Sequence, residues 1–135
     1  MRKIVQRLAG YCLFGVMVAA ATGVVAGSDF PFGRELLLDT QPMKGSKRIP
    51  GLATEANGTA TIDLWCNSVQ GQLVVAADTI TIITGEMTTR QCPPDRAQGD
   101  EDMLTALNQV TNWRFDGNML VLTGAQTMRF RLTTN

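Results

Sequence analysis

The chain contains no histidine. That removes the commonest general base, most nucleophilic triads and the imidazole ligands of many zinc sites. Aromatic residues make up only 6%, and lysine plus arginine balance aspartate plus glutamate at twelve each. A surface with no basic excess has little with which to displace phosphate counterions, so nucleic acid is not an expected partner. The glycine-rich phosphate loops are missing as well. Beyond the N-terminal segment, lysine occurs only at Lys44 and Lys47, in a polar loop with no activated serine signature beside them. Carboxylates are scattered through turns and a helix start, with no pair of defined separation. The expectation is a protein that is not an enzyme and carries no cofactor.

Cysteine is scarce too, at three residues: Cys12, Cys66 and Cys92. Their meaning depends on the N-terminal segment. Arg2, Lys3 and Arg7 precede an uncharged apolar run over residues 8–25, and Val24-Val25-Ala26 fits a small-x-small cleavage site. This is the layout of a secretory signal peptide over residues 1–26, with a linker over 27–34 and one domain over 35–135. The alternative is an uncleaved membrane anchor, since about 18 apolar residues can span a bilayer. Gly10, Gly15 and Gly23 make the run only weakly hydrophobic, which favours cleavage. A lipoprotein is not favoured, because Cys12 falls near the start of the apolar run rather than directly after its end.

Cleavage leaves nine basic residues against twelve acidic, a net charge of −3. An anionic membrane surface is then no natural partner, and the membrane is met only through the signal segment if that is retained. Cleavage also removes Cys12 and leaves an even pair in an oxidising compartment, periplasmic or secreted. That parity favours a Cys66–Cys92 disulfide over two buried free thiols. Two thiolates alone do not fill a tetrahedral zinc shell, so no metal is expected.

The rest of the chain reads mainly as short alternating strands. Ser28 to Gly33 places Phe30 and Phe32 where they can plug one end of a core, and residues 35–39 suggest a first strand. Residues 41–48 form a polar loop with Lys44, Lys47 and Arg48. Residues 52–56 and 59–65 flank Asn57-Gly58, a hairpin signal suited to a type I′ turn. Residues 69–75 and 79–84 suggest a second antiparallel pair around Ala76-Ala77-Asp78. Asp95 is a candidate N-cap, with Gln98 completing a capping box. Asp100, Glu101 and Asp102 then suit the positive end of the helix dipole, while Met103, Ala106, Leu107 and Val110 share one face. Gly99 weakens the first turn. Strands follow at 112–116, with Trp113 and Phe115 on one face, at 119–123 after Gly117-Asn118, and at 127–132. In the last, Arg129 and Arg131 are expected on the wet face of an edge strand. The predicted fold class is α+β: a curved, barrel-like, mainly antiparallel sheet with one packed helix, after an N-terminal signal helix.

Leu64-Trp65-Cys66-Asn67-Ser68-Val69-Gln70-Gly71 resembles the first motif of the META domain family, which includes HslJ-like heat-shock and envelope proteins. Cys66, Asn67 and Gly71 stand at matching places, whereas Trp65, Ser68, Val69 and Gln70 depart from the pattern. Thr88 and Cys92 keep the spacing of the second motif, a threonine four residues before a cysteine. The similarity spans roughly residues 35–132. It implies a small exported or envelope-associated protein without known cofactor, linked with heat response, novobiocin resistance or virulence-related secretion. Read from the residues alone, Cys66, Asn67, Gly71, Thr88 and Cys92 are a disulfide and polar turn groups satisfying backbone. The functional expectation is an accessory role in envelope stress or protein interaction. The alternative is a secreted ligand-binding or enzyme-inhibitor β-domain that captures a protein or a small apolar ligand.

Overall fold

The structure, a computed structural model, describes residues 29–134; the expected signal segment, its cleavage site near Ala26 and Cys12 lie outside them. Eight strands run in sequence order: β1 (Glu35–Leu38), β2 (Gly51–Thr54), β3 (Thr59–Asp63), β4 (Ser68–Ala76), β5 (Thr79–Met87), β6 (Val110–Asp116), β7 (Met119–Gly124) and β8 (Thr127–Leu132). Each pairs antiparallel with its neighbours, and β1 closes on β8 to complete a barrel. Helix α1 (Pro94–Asn108) connects β5 to β6. Among the described residues no helix is long and apolar enough to cross a membrane.

Period-two alternation is what fills the barrel. Successive pairs bring Leu52 beside Ile62 and Ile62 beside Val69, and on the other side Leu120 beside Phe130 and Leu122 beside Met128. All of these are buried. Removing a side chain such as Phe130 from water contributes about 1.5–3 kcal/mol. α1 packs against β5 and adds Met103, Ala106 and Leu107 to the same core. At the other end Phe30 is buried, with Phe32 against it and its ring edge-on to Trp113 at 5.2 Å.

The barrel is weakest between β5 and β6, whose ladder has the single pair Thr79↔Asn112. Trp113 reinforces that seam. Its backbone N–H donates to Asp78 O at 2.9 Å, and its indole Nε1 donates to Ala77 O at 2.8 Å. Those carbonyls belong to the two-residue β4–β5 turn, where Ala77 sits at φ 53°. A left-handed alanine costs about 1–2 kcal/mol, against a glycine entropy cost of about 0.5–1 kcal/mol. Ala77→Gly is therefore expected to stabilise the protein by about 0.5–1 kcal/mol in urea unfolding. An unchanged midpoint would contradict that account of the turn.

Several local expectations are corrected. At Asn57-Gly58 only Gly58 has positive φ, at 85°, and its N–H donates to Glu55 O at 3.0 Å. The turn is thus type I followed by a glycine bulge, not type I′. α1 starts at Pro94 with Pro93 as N-cap and no side-chain cap, so Asp95 does not cap it. Proline suits the first helical position because the N–H it lacks would be unpaired anyway. Gln98 Nε2 donates to Asp102 Oδ1 at 2.9 Å instead of completing a box. Val110 opens β6 rather than extending the helical face. β8 is no edge strand, because closure pairs it on both sides; Arg129 and Arg131 lie on the outer wall, paired with Asp116 and Asp39. Trp113 and Phe115 do share a face, with ring centroids 5.8 Å apart, but Trp113 is buried and Phe115 is 42% exposed.

Candidate functional site

Three chain segments meet at one end of the barrel: the β3–β4 loop with Cys66 and Asn67, the stretch after β5 with Thr88, Arg90 and Cys92, and α1 with Asp100. Cys66 and Cys92 are bonded, their Cα atoms 6.1 Å apart. Asp100 is fully buried and accepts three hydrogen bonds. Cys66 N donates to Oδ1 at 2.9 Å, while Asn67 N and Nδ2 donate to Oδ2 at 2.8 and 3.1 Å.

Asn67 uses its whole amide. Its Nδ2 also faces Cys92 Sγ at 3.2 Å, and its Oδ1 accepts from Thr88 Oγ1 and Arg90 N, each at 2.8 Å. Two donated and two accepted bonds are all that an asparagine side chain offers. Thr88 Oγ1 accepts in turn from Ser68 N at 3.0 Å. Thr88 therefore does with its side chain what a strand ladder would do, just where β5 ends.

Arg48 braces the loop from outside. Its Nε donates to Leu64 O at 2.8 Å, and Nη2 lies 3.1–3.2 Å from Asp63 Oδ1, Asn67 O and Ser68 Oγ. It is half-buried, so this residue of the polar 41–48 loop braces the fold rather than facing solvent alone. Arg96 Nη2 donates to Gly45 O at 2.9 Å and ties the same loop to α1.

Of the motif residues, the structure brings Cys66, Asn67, Thr88 and Cys92 together. Gly71 stands apart in β4, beside a register shift, between Ala60 and Thr84. A Cβ there would lie 3.0 Å from Ile62 Cδ1 and 3.1 Å from Ile83 O, so a side chain at this point would press on both. Asp100 is the member that reading by charge passed over. Its signal was positional: Asp100, Met103 and Leu107 share one helix face (i, i+3, i+7), so a carboxylate sits in the apolar stripe.

Gly99 likewise has a different role from the weak helix start expected of it. A Cβ there would lie 2.6 Å from Met43 Cε and 2.7 Å from Trp65 Cδ1. Methionine can yield, but the indole is a bulky ring on Trp65, next to Cys66 in the disulfide clasp of Cys66 and Cys92. Gly99→Ala is therefore expected to lose about 1–3 kcal/mol to overpacking, exceeding the gain of about 1 kcal/mol in helix propensity. A thermal melt unchanged or raised by the substitution would refute this.

The barrel's other end carries a shallow groove of about 370 Å³, lined by Asp29, Ala77, Asp78, Trp113, Arg114 and Phe115. Exposed apolar side chains also stand on the outer wall, Val74 on β4 and Ile83 on β5.

The profile of one protein family, the META domain, matches residues 34–135. No curated protein matches the chain in sequence. Among solved structures, an NMR structure of a protein is 20% identical, with a TM-score of 0.59 over 74% of this chain and 89% of that one. An NMR structure of a protein from Burkholderia xenovorans is 18% identical, with a TM-score of 0.57 over 77% and 84%. A crystal structure of a DUF4847 family protein from Bacteroides vulgatus is 18% identical, with a TM-score of 0.50 over 61% and 57%. At these identities the likeness is one of fold.

Proposed function

This chain belongs to the META domain family, and from that premise we propose an exported, non-enzymatic accessory domain of the cell envelope that acts by binding at its surface. The observation that carries the reading is the Cys66–Cys92 disulfide fastening a side-chain-filled barrel. A lone bonded pair suits an oxidising compartment. The polar groups of the clasp are engaged with one another, which suits a structural device better than a reaction centre. Binding then falls to the outside, where the groove by Trp113 presents the exposed ring of Phe115. An open aromatic rim suits a protein partner. The same groove favours a second reading, capture of a small apolar ligand.

The experiment has two arms. In a bacterial host the protein is expected in the periplasmic fraction, its N-terminus near Gly27 and no free thiol at Cys66 or Cys92. An intact Met1 in the membrane fraction would favour an anchor, and a soluble cytoplasmic thiol form would refute export. For binding, crosslinking in envelope extracts from heat-stressed cells is compared between the parent chain and Phe115→Ala. A partner retained equally by both removes the groove from the proposal.

A further inference from the structure

We propose that when the disulfide is reduced, Cys66, Cys92 and Asp100 hold a thiophilic divalent cation such as zinc, so that disulfide and metal thiolate are alternative states of one joint. The inference does not depend on the export reading, since it concerns the three side chains alone.

The ligand set assembles because α1 supplies what the two cysteines lack. One ligand atom from each of Cys66, Cys92 and Asp100 lies within 4.8 Å of the others. Around a tetrahedral zinc, with bonds of about 2.3 Å to sulfur and about 2.0–2.2 Å to oxygen, such atoms sit roughly 3.4–3.8 Å from one another. From the bonded state, parting of the sulfurs and a small drawing-in of the carboxylate would bring the three ligand atoms to that spacing. Asp100 is already aimed, its carboxylate held by Cys66 N, Asn67 N and Asn67 Nδ2. Oδ1 takes only one of those bonds, which leaves a lone pair for a cation.

The surroundings suit a metal thiolate. Asn67 Nδ2, 3.2 Å from Cys92 Sγ, is a stronger partner for a thiolate than for a bonded sulfur. Donors of this kind orient ligands from behind and support affinity. Both cysteines are half-buried rather than sealed, so a reductant and then a cation can reach them. A water would complete the fourth position, as in other three-ligand zinc sites.

The chemistry balances with a dithiol reductant. Its two thiols lose two electrons and two protons and close to their own disulfide; the Cys66–Cys92 bond breaks and each sulfur gains a proton. The divalent cation then displaces both thiol protons to solvent and forms two metal–sulfur bonds. Occupied by metal, the pair resists reoxidation, and in the disulfide form the site has no thiolate to offer.

The test uses the full chain carrying Cys12→Ser, so that no third thiol competes. After reduction and removal of the reductant without oxygen, titration with cadmium is expected to give a thiolate charge-transfer band saturating at one ion per chain, with two protons released. Zinc should protect Cys66 and Cys92 together from alkylation. The oxidised chain should show neither effect. Asp100→Asn should weaken affinity at least about tenfold. If that variant does not fold, X-ray absorption of the zinc-loaded parent decides, with two sulfurs at about 2.3 Å and lighter ligands at about 2.0–2.2 Å expected. No uptake by the reduced parent, one ion shared by two chains, undiminished affinity in a folded Asp100→Asn, or a shell without two sulfurs overturns the proposal.

Discussion

Asp100→Ala is expected to be among the most damaging single substitutions in this protein, with a loss of about 3–5 kcal/mol. The carboxylate is fully buried, and its removal strands three donors at once: Cys66 N, Asn67 N and Asn67 Nδ2. Each unpaired buried donor costs about 1–3 kcal/mol, eased where water can enter beside the half-buried cysteines. For a domain of this size the melting temperature should fall by roughly 15 °C or more. Asp100→Asn separates shape from hydrogen bonding. It keeps the volume but replaces one accepting oxygen with an NH₂ group that faces donors, so a loss of at least about 2 kcal/mol is expected. A loss below about 1 kcal/mol in both variants would mean that the carboxylate does not organise the loop.

Removing the disulfide by Cys66→Ala with Cys92→Ala should cost about 3.5 kcal/mol. The chain-entropy relation gives that figure for a closed loop with a separation of 26 residues. The barrel itself should persist, since its core is built from side chains on eight strands and α1 rather than from the sulfurs. Far-ultraviolet circular dichroism should therefore stay native while the urea midpoint falls. The loss should not add to that of Asp100→Ala, because Cys66 N and Asn67 belong to both. A triple variant whose destabilisation equals the sum would show the clasp and the carboxylate to be independent. Against a typical domain stability of about 5–15 kcal/mol, either change uses much of the margin.

Much of the strand content was legible because half-buried strands leave a period-two record. Ala60, Ile62, Met128 and Phe130 alternate with polar neighbours and all point inward. Boundaries were less legible. β5 runs to Met87 rather than stopping at residue 84, because its last stretch pairs with β4 across an irregular register that no local pattern marks. Turn type went the same way. Asn57-Gly58 suits two kinds of hairpin turn, and the choice between them lies in how β2 and β3 pair, not in the dipeptide.

The site was half legible. Cys66, Asn67, Thr88 and Cys92 announced themselves by motif and by parity. Asp100 and Arg48 did not, because an acid early in a helix and an arginine in a polar loop have ordinary explanations close at hand. Both turn out to serve the β3–β4 loop, 33 and 34 residues away for Asp100 and 15–20 for Arg48.

What the sequence determined by itself was local or compositional: alternating strands, one packed helix, an even pair of cysteines beyond the apolar N-terminal run, and a chemistry without imidazole. Such properties follow from neighbours along the chain, where periodicity and side-chain type act directly. Closure of β1 onto β8, the conversion of an expected edge into a wall, and the placing of Asp100 under the disulfide were decided only in three dimensions. These depend on pairings between distant segments. Their free energy comes from burying apolar surface and satisfying polar groups all at once, which no short window of residues encodes.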